Sequence, residues 1–256
     1  MEIASRPALV YCAALCIASL TLCLSQSALA MTTNLVTFGE FEGIQSSSSD
    51  PTVGPISPSG SGSDWAQYDH DVFNAQYPQW STQASNDFQI QPQGSRTAPS
   101  TGADGNATGN YLEILSKSST GVVTLTVSIP TNIATGSNNA TLQFESFSQD
   151  PADYQNTGRY QIVVTGGSAS DTGLVTINNL ATAWKANSIP VTVSPGDTVA
   201  VSWSETNNSK QWEGLRIDDV QLLVTLTAVP EPATFGALLL GVFFILTCWN
   251  RRKACY

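Results

Sequence analysis

The sequence predicts an all-β fold, an antiparallel sandwich set between two apolar terminal segments, and three observations predict it. Apolar residues alternate with polar ones at a period of two along several stretches. Gly, Asn, Ser and Pro clusters punctuate those stretches at strand-length intervals. Between Met31 and Val229 no stretch carries a sustained helical period.

The clearest strand holds Val123, Leu125, Val127 and Ile129 on one parity and Thr124, Thr126 and Ser128 on the other, which lines one buried face. Tyr160, Ile162 and Val164 repeat the pattern. So do Val199, Val201 and Trp203, which follow the turn Pro195-Gly196-Asp197. Residues 35–41, 111–115, 142–147, 174–177 and 188–193 read as further strands, and the last strand runs from Leu215 to Leu226. Residues 45–63 and 92–110 are built from Ser, Gly and Pro and are expected to be long loops or flexible flaps.

Composition narrows the functional classes. The chain has 256 residues and a formal net charge of −10. Eighteen Asp and Glu against six Lys and Arg lie between Met31 and Val229, a net of −12 for the body. Such a surface repels phosphate backbones, so nucleic-acid binding is set aside. All five cysteines fall outside the body, which therefore has no disulfide framework, thiol nucleophile or thiolate zinc site. A body of about 200 residues buries enough apolar surface to fold as one unit without such staples.

The two ends read as addresses. Residues 8–24 are apolar, Arg6 precedes them, and Ala28-Leu29-Ala30 closes the segment with the small-x-small pattern of a signal-peptidase site. Residues 1–30 are therefore expected to be a signal peptide and signal peptidase a partner, with an uncleaved N-terminal anchor as the alternative. At the other end Pro230 and Pro232 interrupt the chain, and Ala233 to Trp249 is uncharged. Its seventeen residues reach roughly 25 Å as a helix, near the lower limit for crossing a bilayer. Arg251, Arg252 and Lys253 follow as a cytoplasmic stop. The alternative, a buried core helix, would need polar positions every third or fourth residue, and there are none.

Val229-Pro230-Glu231-Pro232, the short apolar helix and the terminal basic cluster resemble the PEP-CTERM sorting domain of Gram-negative bacteria, over residues 229–256. The resemblance implies an exported protein, held briefly in the inner membrane, recognised by an exosortase near Pro-Glu-Pro and passed to the cell surface or extracellular matrix. The family is associated with bacteria that make extracellular polysaccharide.

The last strand carries an irregularity. Leu215 and Ile217 share one parity, whereas Val220, Leu222, Val224 and Leu226 take the other. The phase change across Asp218-Asp219 implies either a bulge or an inward carboxylate, and Asp219 keeps the phase of Leu215 and Ile217. The opening stretch from Asn34 to Glu42, Tyr111-Leu-Glu-Ile114 and the closing stretch from Gly214 to Leu222 resemble jelly-roll, galactose-binding-like carbohydrate-binding modules. The resemblance makes residues 31–228 a jelly-roll β-sandwich whose first and last strands are neighbours. It also implies a structural Ca²⁺ held by Glu42 and Asp219, with Asp218 as the other candidate. Phe38-Gly39-Glu40 stands where such modules usually show Asn-Gly-Gly.

Catalysis finds little support. His70 is the only histidine, between Asp69 and Asp71, and no nucleophile-elbow sequence accompanies it. Its acidic neighbours make it a stabilised strand or loop residue. Sugar faces stack on aromatic rings, and Tyr77, Trp80 and Trp212 lie in polar sequence where a ligand could meet them. The expected function is a non-catalytic surface protein associated with exopolysaccharide through a carbohydrate-binding β-sandwich. A structural or adhesive protein without specific sugar recognition is the alternative, and a carboxylate-based hydrolase ranks third.

Overall fold

The computed structural model describes residues 31–52, 54–83, 88–92, 109–115, 121–147, 157–177, 184–206 and 214–227. The expected signal peptide, the expected sorting motif Val229 to Pro232, the expected basic stop Arg251 to Lys253, and Trp212 lie outside the described residues. So does most of the expected 92–110 loop. Among the described residues no helix is long and apolar enough to cross a membrane.

Thr32–Leu226 forms one compact unit. Its strands in chain order are β1 (Met31–Asn34), β2 (Gly60–Gly62), β3 (Trp65–Gln67), β4 (Trp80–Thr82), β5 (Phe88–Pro92), β6 (Asn110–Ile114) and β7 (Val122–Ser128). They continue as β8 (Ala140–Phe147), β9 (Thr157–Thr165), β10 (Ser170–Asp171), β11 (Val175–Thr176), β12 (Lys185–Val191), β13 (Thr198–Thr206) and β14 (Leu215–Leu226). One helix, α1 (His70–Gln76), lies between β3 and β4.

Two antiparallel sheets result. The larger runs β12-β8-β14-β6-β5-β3-β2, with β1 also paired to β14; the smaller runs β10-β9-β13-β7-β4, with β11 on β9. The first and last strands are thus neighbours, as the carbohydrate-module resemblance implied. The alternation read from the sequence sets the core. Val123, Leu125 and Val127 from β7, and Val199, Val201 and Trp203 from β13, meet Leu112, Ile114, Leu142, Phe144, Leu215 and Ile217 of the larger sheet in one buried cluster. Trp203 stands edge-on to Phe144 at 5.5 Å, which places the rings of the two sheets in direct contact.

Three expectations are corrected, and a fourth is met in one of its two forms. Residues 35–41 do not form a strand. Phe38 and Phe41 adopt positive φ (60° and 51°), which curls the chain out of a strand path beyond Leu35. Residues 45–52 and 54–59 form a long loop, one of the two forms expected, and it is tied down. The Asp50 carboxylate accepts from the backbone and hydroxyl of Ser46 and from the Thr52 amide, the Ser48 amide donates to Gly62 O, and the segment ends in β2. His70 opens a helix rather than a strand or loop, because the Asp69 side chain caps it by accepting from the Asp71 and Val72 amides. Trp80, expected in a polar loop, is core: its indole is 1 % exposed, stacks on Trp203 at 6.0 Å and donates to Thr37 O.

The curled segment meets β14 at Gly39, whose carbonyl accepts from the Val220 amide. A Cβ at position 39 would lie 2.0 Å from Val220 O, so only glycine allows this approach. Gly39→Ala is therefore expected to destabilise the fold by roughly 1–3 kcal/mol, the usual range for overpacking. The denaturation midpoint checks it, and an unchanged midpoint would show that the approach is not a constraint.

Candidate functional site

The two sheets turn very different outer faces away from the shared core. The smaller sheet shows Thr124, Thr126 and Ser128 on β7 beside Ala200 and Ser202 on β13, an ordinary solvent face of short side chains. The larger sheet carries on that side aromatic rings, amides and charges, most of them buried. Register aligns them: Gln89 lies opposite Glu113, Glu113 opposite Arg216, and Arg216 opposite Phe147. The pairing of Lys185 with Ser146 carries Trp184 alongside Phe147. Gln91 opposite Tyr111 starts the next row, and the pairing of Ala66 with Ile90 brings Trp65 beside Gln91.

Hydrogen bonds lock the middle of this face. Glu113 Oε1 accepts from Arg216 Nε at 3.1 Å and from Arg216 Nη2 at 3.0 Å, and both side chains are fully buried. The Gly214 amide donates to the same oxygen, and Gln91 Nε2 donates to Glu113 Oε2. Gln91 Nε2 also reaches Gln89 Oε1, while the Tyr111 hydroxyl donates to Gln91 Oε1 at 2.6 Å. The Arg216 guanidinium lies over Phe147 at 5.1 Å and over Tyr111 at 5.7 Å, so cation–π contact adds to the ion pair. Tyr111, Phe147 and Trp184 form an aromatic cluster of their own, separate from the main core. Trp184 packs on each of the other two at 5.6 Å and is itself only partly buried.

At the far edge Trp65 is half-buried over β2. A Cβ on Gly62 would fall 2.3 Å from its indole nitrogen, and one on Gly60 would touch the ring at 3.7 Å. The Gly-Ser-Gly sequence of β2 is what lets this ring lie against the edge strand. The face thus carries a half-exposed tryptophan near each edge and a locked polar row between them. Residues 111–115 were readable as a strand, but the placing of Trp65 and Trp184 on this side became legible only through register.

The residues singled out from sequence are dispersed. Tyr77 ends α1, is half-buried and stacks on Phe38 at 3.8 Å with rings nearly parallel, so Phe38 covers one face of it. Trp80 is in the core, as described above. Glu42 is exposed and accepts the Asn110 amide at 2.6 Å. The irregularity in β14 is a bulge: its register to β8 shifts between Asp218 and Gln221, and Asp219 takes a positive φ of 49°. Asp218, not Asp219, is the more buried carboxylate, and its Oδ1 accepts the Asp219 amide. The phase argument failed because Asp219 itself absorbs the phase change. Register carries Asn110 alongside this bulge, so Glu42 and the Asp218-Asp219 pair share one corner of the sheet. That corner borders a groove of about 350 Å³ lined by Asn34, Phe38, Glu40, Glu42 and Val220 among others.

Asp69, His70 and Asp71 bring three ligand-type atoms within 4.8 Å of one another. Asp69 already caps α1, and His70 Nε2 lies 3.3 Å from Asp71 Oδ1, which is the arrangement of a helix start.

No protein-family model and no curated protein matches the chain. Three solved structures show the range of its likenesses. TmCBM61 in complex with β-1,4-galactotriose is 13 % identical at a TM-score of 0.41, over 75 % of this chain and 99 % of that one. An apo form cyclase from Fischerella sp. is 12 % identical at 0.40, over 77 % and 98 %. A family 35 carbohydrate binding module from Clostridium thermocellum is 14 % identical at 0.32, over 65 % and 100 %. These likenesses assign neither ligand nor activity.

A second carboxylate lies near the Glu113–Arg216 pair. Glu205 of β13 is fully buried and its Oε2 accepts the Leu215 amide at 3.1 Å, next to the Gly214 amide that Glu113 holds. Two acids from opposite sheets thus hold consecutive amides at the start of β14. Burial pushes the Glu205 carboxyl from 4.5 up to about 8; the Leu215 hydrogen bond opposes the rise, the Glu113 charge adds to it and Arg216 opposes it. A raised carboxyl pKa means the folded chain binds the proton more tightly than the unfolded one. Stability is therefore fullest below about 4.5, falls as pH rises, and levels off above about 8. Glu205→Gln should flatten urea midpoints between pH 5 and 8.5. A wild-type slope that survives the substitution would assign the effect elsewhere.

Proposed function

We propose that the chain is an exported, non-catalytic surface protein whose β-sandwich binds carbohydrate on the outer face of its larger sheet. The observation that carries this reading is the contrast between the faces. A sheet that only needs solubility shows the Thr and Ser surface of the smaller sheet. The larger sheet instead leaves Trp65 and Trp184 partly exposed and holds Gln89, Gln91, Glu113 and Arg216 fully buried in register between them, a rigid support for the two rings. Partly exposed indoles fixed by such a row are platforms on which the ring faces of a sugar stack.

Export and exosortase processing rest on the sequence of the two termini, and extracellular polysaccharide is the partner that this address would offer. The hydrolase alternative would use Glu113 and Glu205. Both are buried and hold backbone amides, which is a structural task. A structural Ca²⁺ is included in the reading: Glu42, Asp218 and Asp219 bring hard oxygen donors to one corner beside a curled backbone, the donor type that Ca²⁺ takes. Bound there, the ion would hold the curled segment against β14.

Retention of the full chain by immobilised neutral polysaccharide tests the binding. Trp65→Ala and Trp184→Ala should each weaken retention roughly tenfold, whereas Val72→Ala on the exposed side of α1 should not. Loss on none of them, or retention by no polysaccharide, would overturn the assignment. For the metal, Ca²⁺ should raise the melting midpoint and EGTA should reverse the rise. A midpoint unmoved by either would remove the ion from the reading.

A further inference from the structure

Glu205 and Glu113 reach the start of β14 from different sheets and hold the consecutive amides of Leu215 and Gly214. Their cluster is short of positive charge. Among the described residues Arg216 is the cation that faces both acids, and Glu113 already engages it through Nε and Nη2. The other elements packed around Glu205 bring no further charge. β7 has no titratable side chain, and β9 offers at that parity the phenol of Tyr160, opposite Trp203. Arg159 lies opposite Ser204, on the other parity.

The site is also closed. Glu205 Oε1 is buried without a hydrogen-bond partner, and a Cβ on Gly214 would fall 3.0 Å from Oε2, so the backbone closes over that oxygen. A neutral carboxyl tolerates such a site. An ionised one needs donors for both oxygens, from the protein or from water. Charge on Glu205 therefore favours states in which the cluster opens. The strand end is where it can open. Leu215 pairs with Ile114 of β6, but the register to β8 begins one residue later, at Arg216. Opening there admits water to Glu205 without breaking the centre of either sheet. It also moves Arg216, whose guanidinium lies over Phe147 at 5.1 Å and over Tyr111 at 5.7 Å. Those are the two rings on which Trp184 packs.

We propose that Glu205 is a pH-sensitive latch: with its proton it keeps the start of β14 closed, and on losing the proton it releases that end together with the ring support of Trp184, so glycan binding weakens as pH rises. The regulation of binding rests on the sugar-binding reading; the latch does not. Its sign follows from the direction of the shift. Burial raises the Glu205 carboxyl from 4.5 to about 8. Opening is therefore least favoured below about 4.5, gains about tenfold per pH unit between those values, and levels off above about 8.

Amide hydrogen exchange of the full chain, followed by NMR from about pH 5 to about pH 9, tests the latch. Protection of the Leu215 and Gly214 amides should fall about tenfold per unit up to about pH 8 and then level off. It should stay at least about tenfold below that of Val201, in the middle of β13. Glu205→Gln cannot ionise and should abolish the slope; its thermal midpoint reports whether the fold survives, and the wild-type profile stands without it. Retention of the wild type by immobilised neutral polysaccharide should weaken roughly tenfold from about pH 5 to about pH 8.5, and that of Glu205→Gln should hold. A Leu215 profile that tracks Val201 at every pH would make the opening global and overturn the latch, as would a slope that survives in Glu205→Gln. Equal retention at both pH values beside a working latch would overturn the regulation of binding. Retention by no polysaccharide at either pH would overturn the sugar reading and not the latch, which exchange reads directly.

Discussion

The ion pair of Glu113 and Arg216 is the constraint on which the larger sheet depends. The two side chains face each other on neighbouring strands with no exposure to water. Taking two charges out of water is costly, so such a pair is weak evidence for stability. What it supplies is register. Sliding β14 by one residue against β6 would turn Arg216 toward the apolar core and bring Leu215 and Ile217 outward. The guanidinium would lose Glu113 and enter the apolar core, so alternative pairings are excluded far more strongly than the native one is favoured. Everything placed by that register follows, including the aromatic cluster around Arg216 and the bulge at Asp219.

Glu205 reaches the same strand from the other sheet. Its bond to the Leu215 amide, next to the Gly214 amide held by Glu113, ties the end of β13 to the start of β14. Gly214 permits this: a Cβ there would lie 1.8 Å from Ile114 O and 3.0 Å from Glu205 Oε2. The raised pKa of Glu205 is thus a consequence of joining two sheets through a buried side chain. Its pH dependence belongs to the architecture and needs no catalytic role.

The alternation of β7, β9 and β13 made the smaller sheet legible in the sequence, because each strand is buried on one side and wet on the other. β6 was also legible in place, yet every one of its residues is buried, so its sequence could not say which parity faced the core. The curl at Phe38 and Phe41 was invisible because aromatic residues give no warning of a positive φ. The helix α1 escaped because seven residues burying only Phe73 leave no period to detect. Trp80 misled because its neighbours are polar, although pairing with β7 puts the ring directly into the core. At the site, aromatic type was readable and orientation was not. Orientation is a property of register, and register is fixed by residues distant in sequence.

The difference between the outer faces also constrains what evolution could tolerate on each. A threonine or serine on β7 meets solvent, and exchange among small polar residues there changes little. The opposite face has no such latitude, since Gln91 bonds three neighbouring side chains and Arg216 touches two rings and a carboxylate. A protein that needed only a stable sandwich could replace this row with apolar side chains at little cost, because well-packed hydrophobic groups often match or exceed a buried ion pair. Keeping amides, charges and rings in one row costs desolvation that an apolar row would not. That cost is the physical reason to look for the ligand on this face and not at the cluster of acids that caps α1.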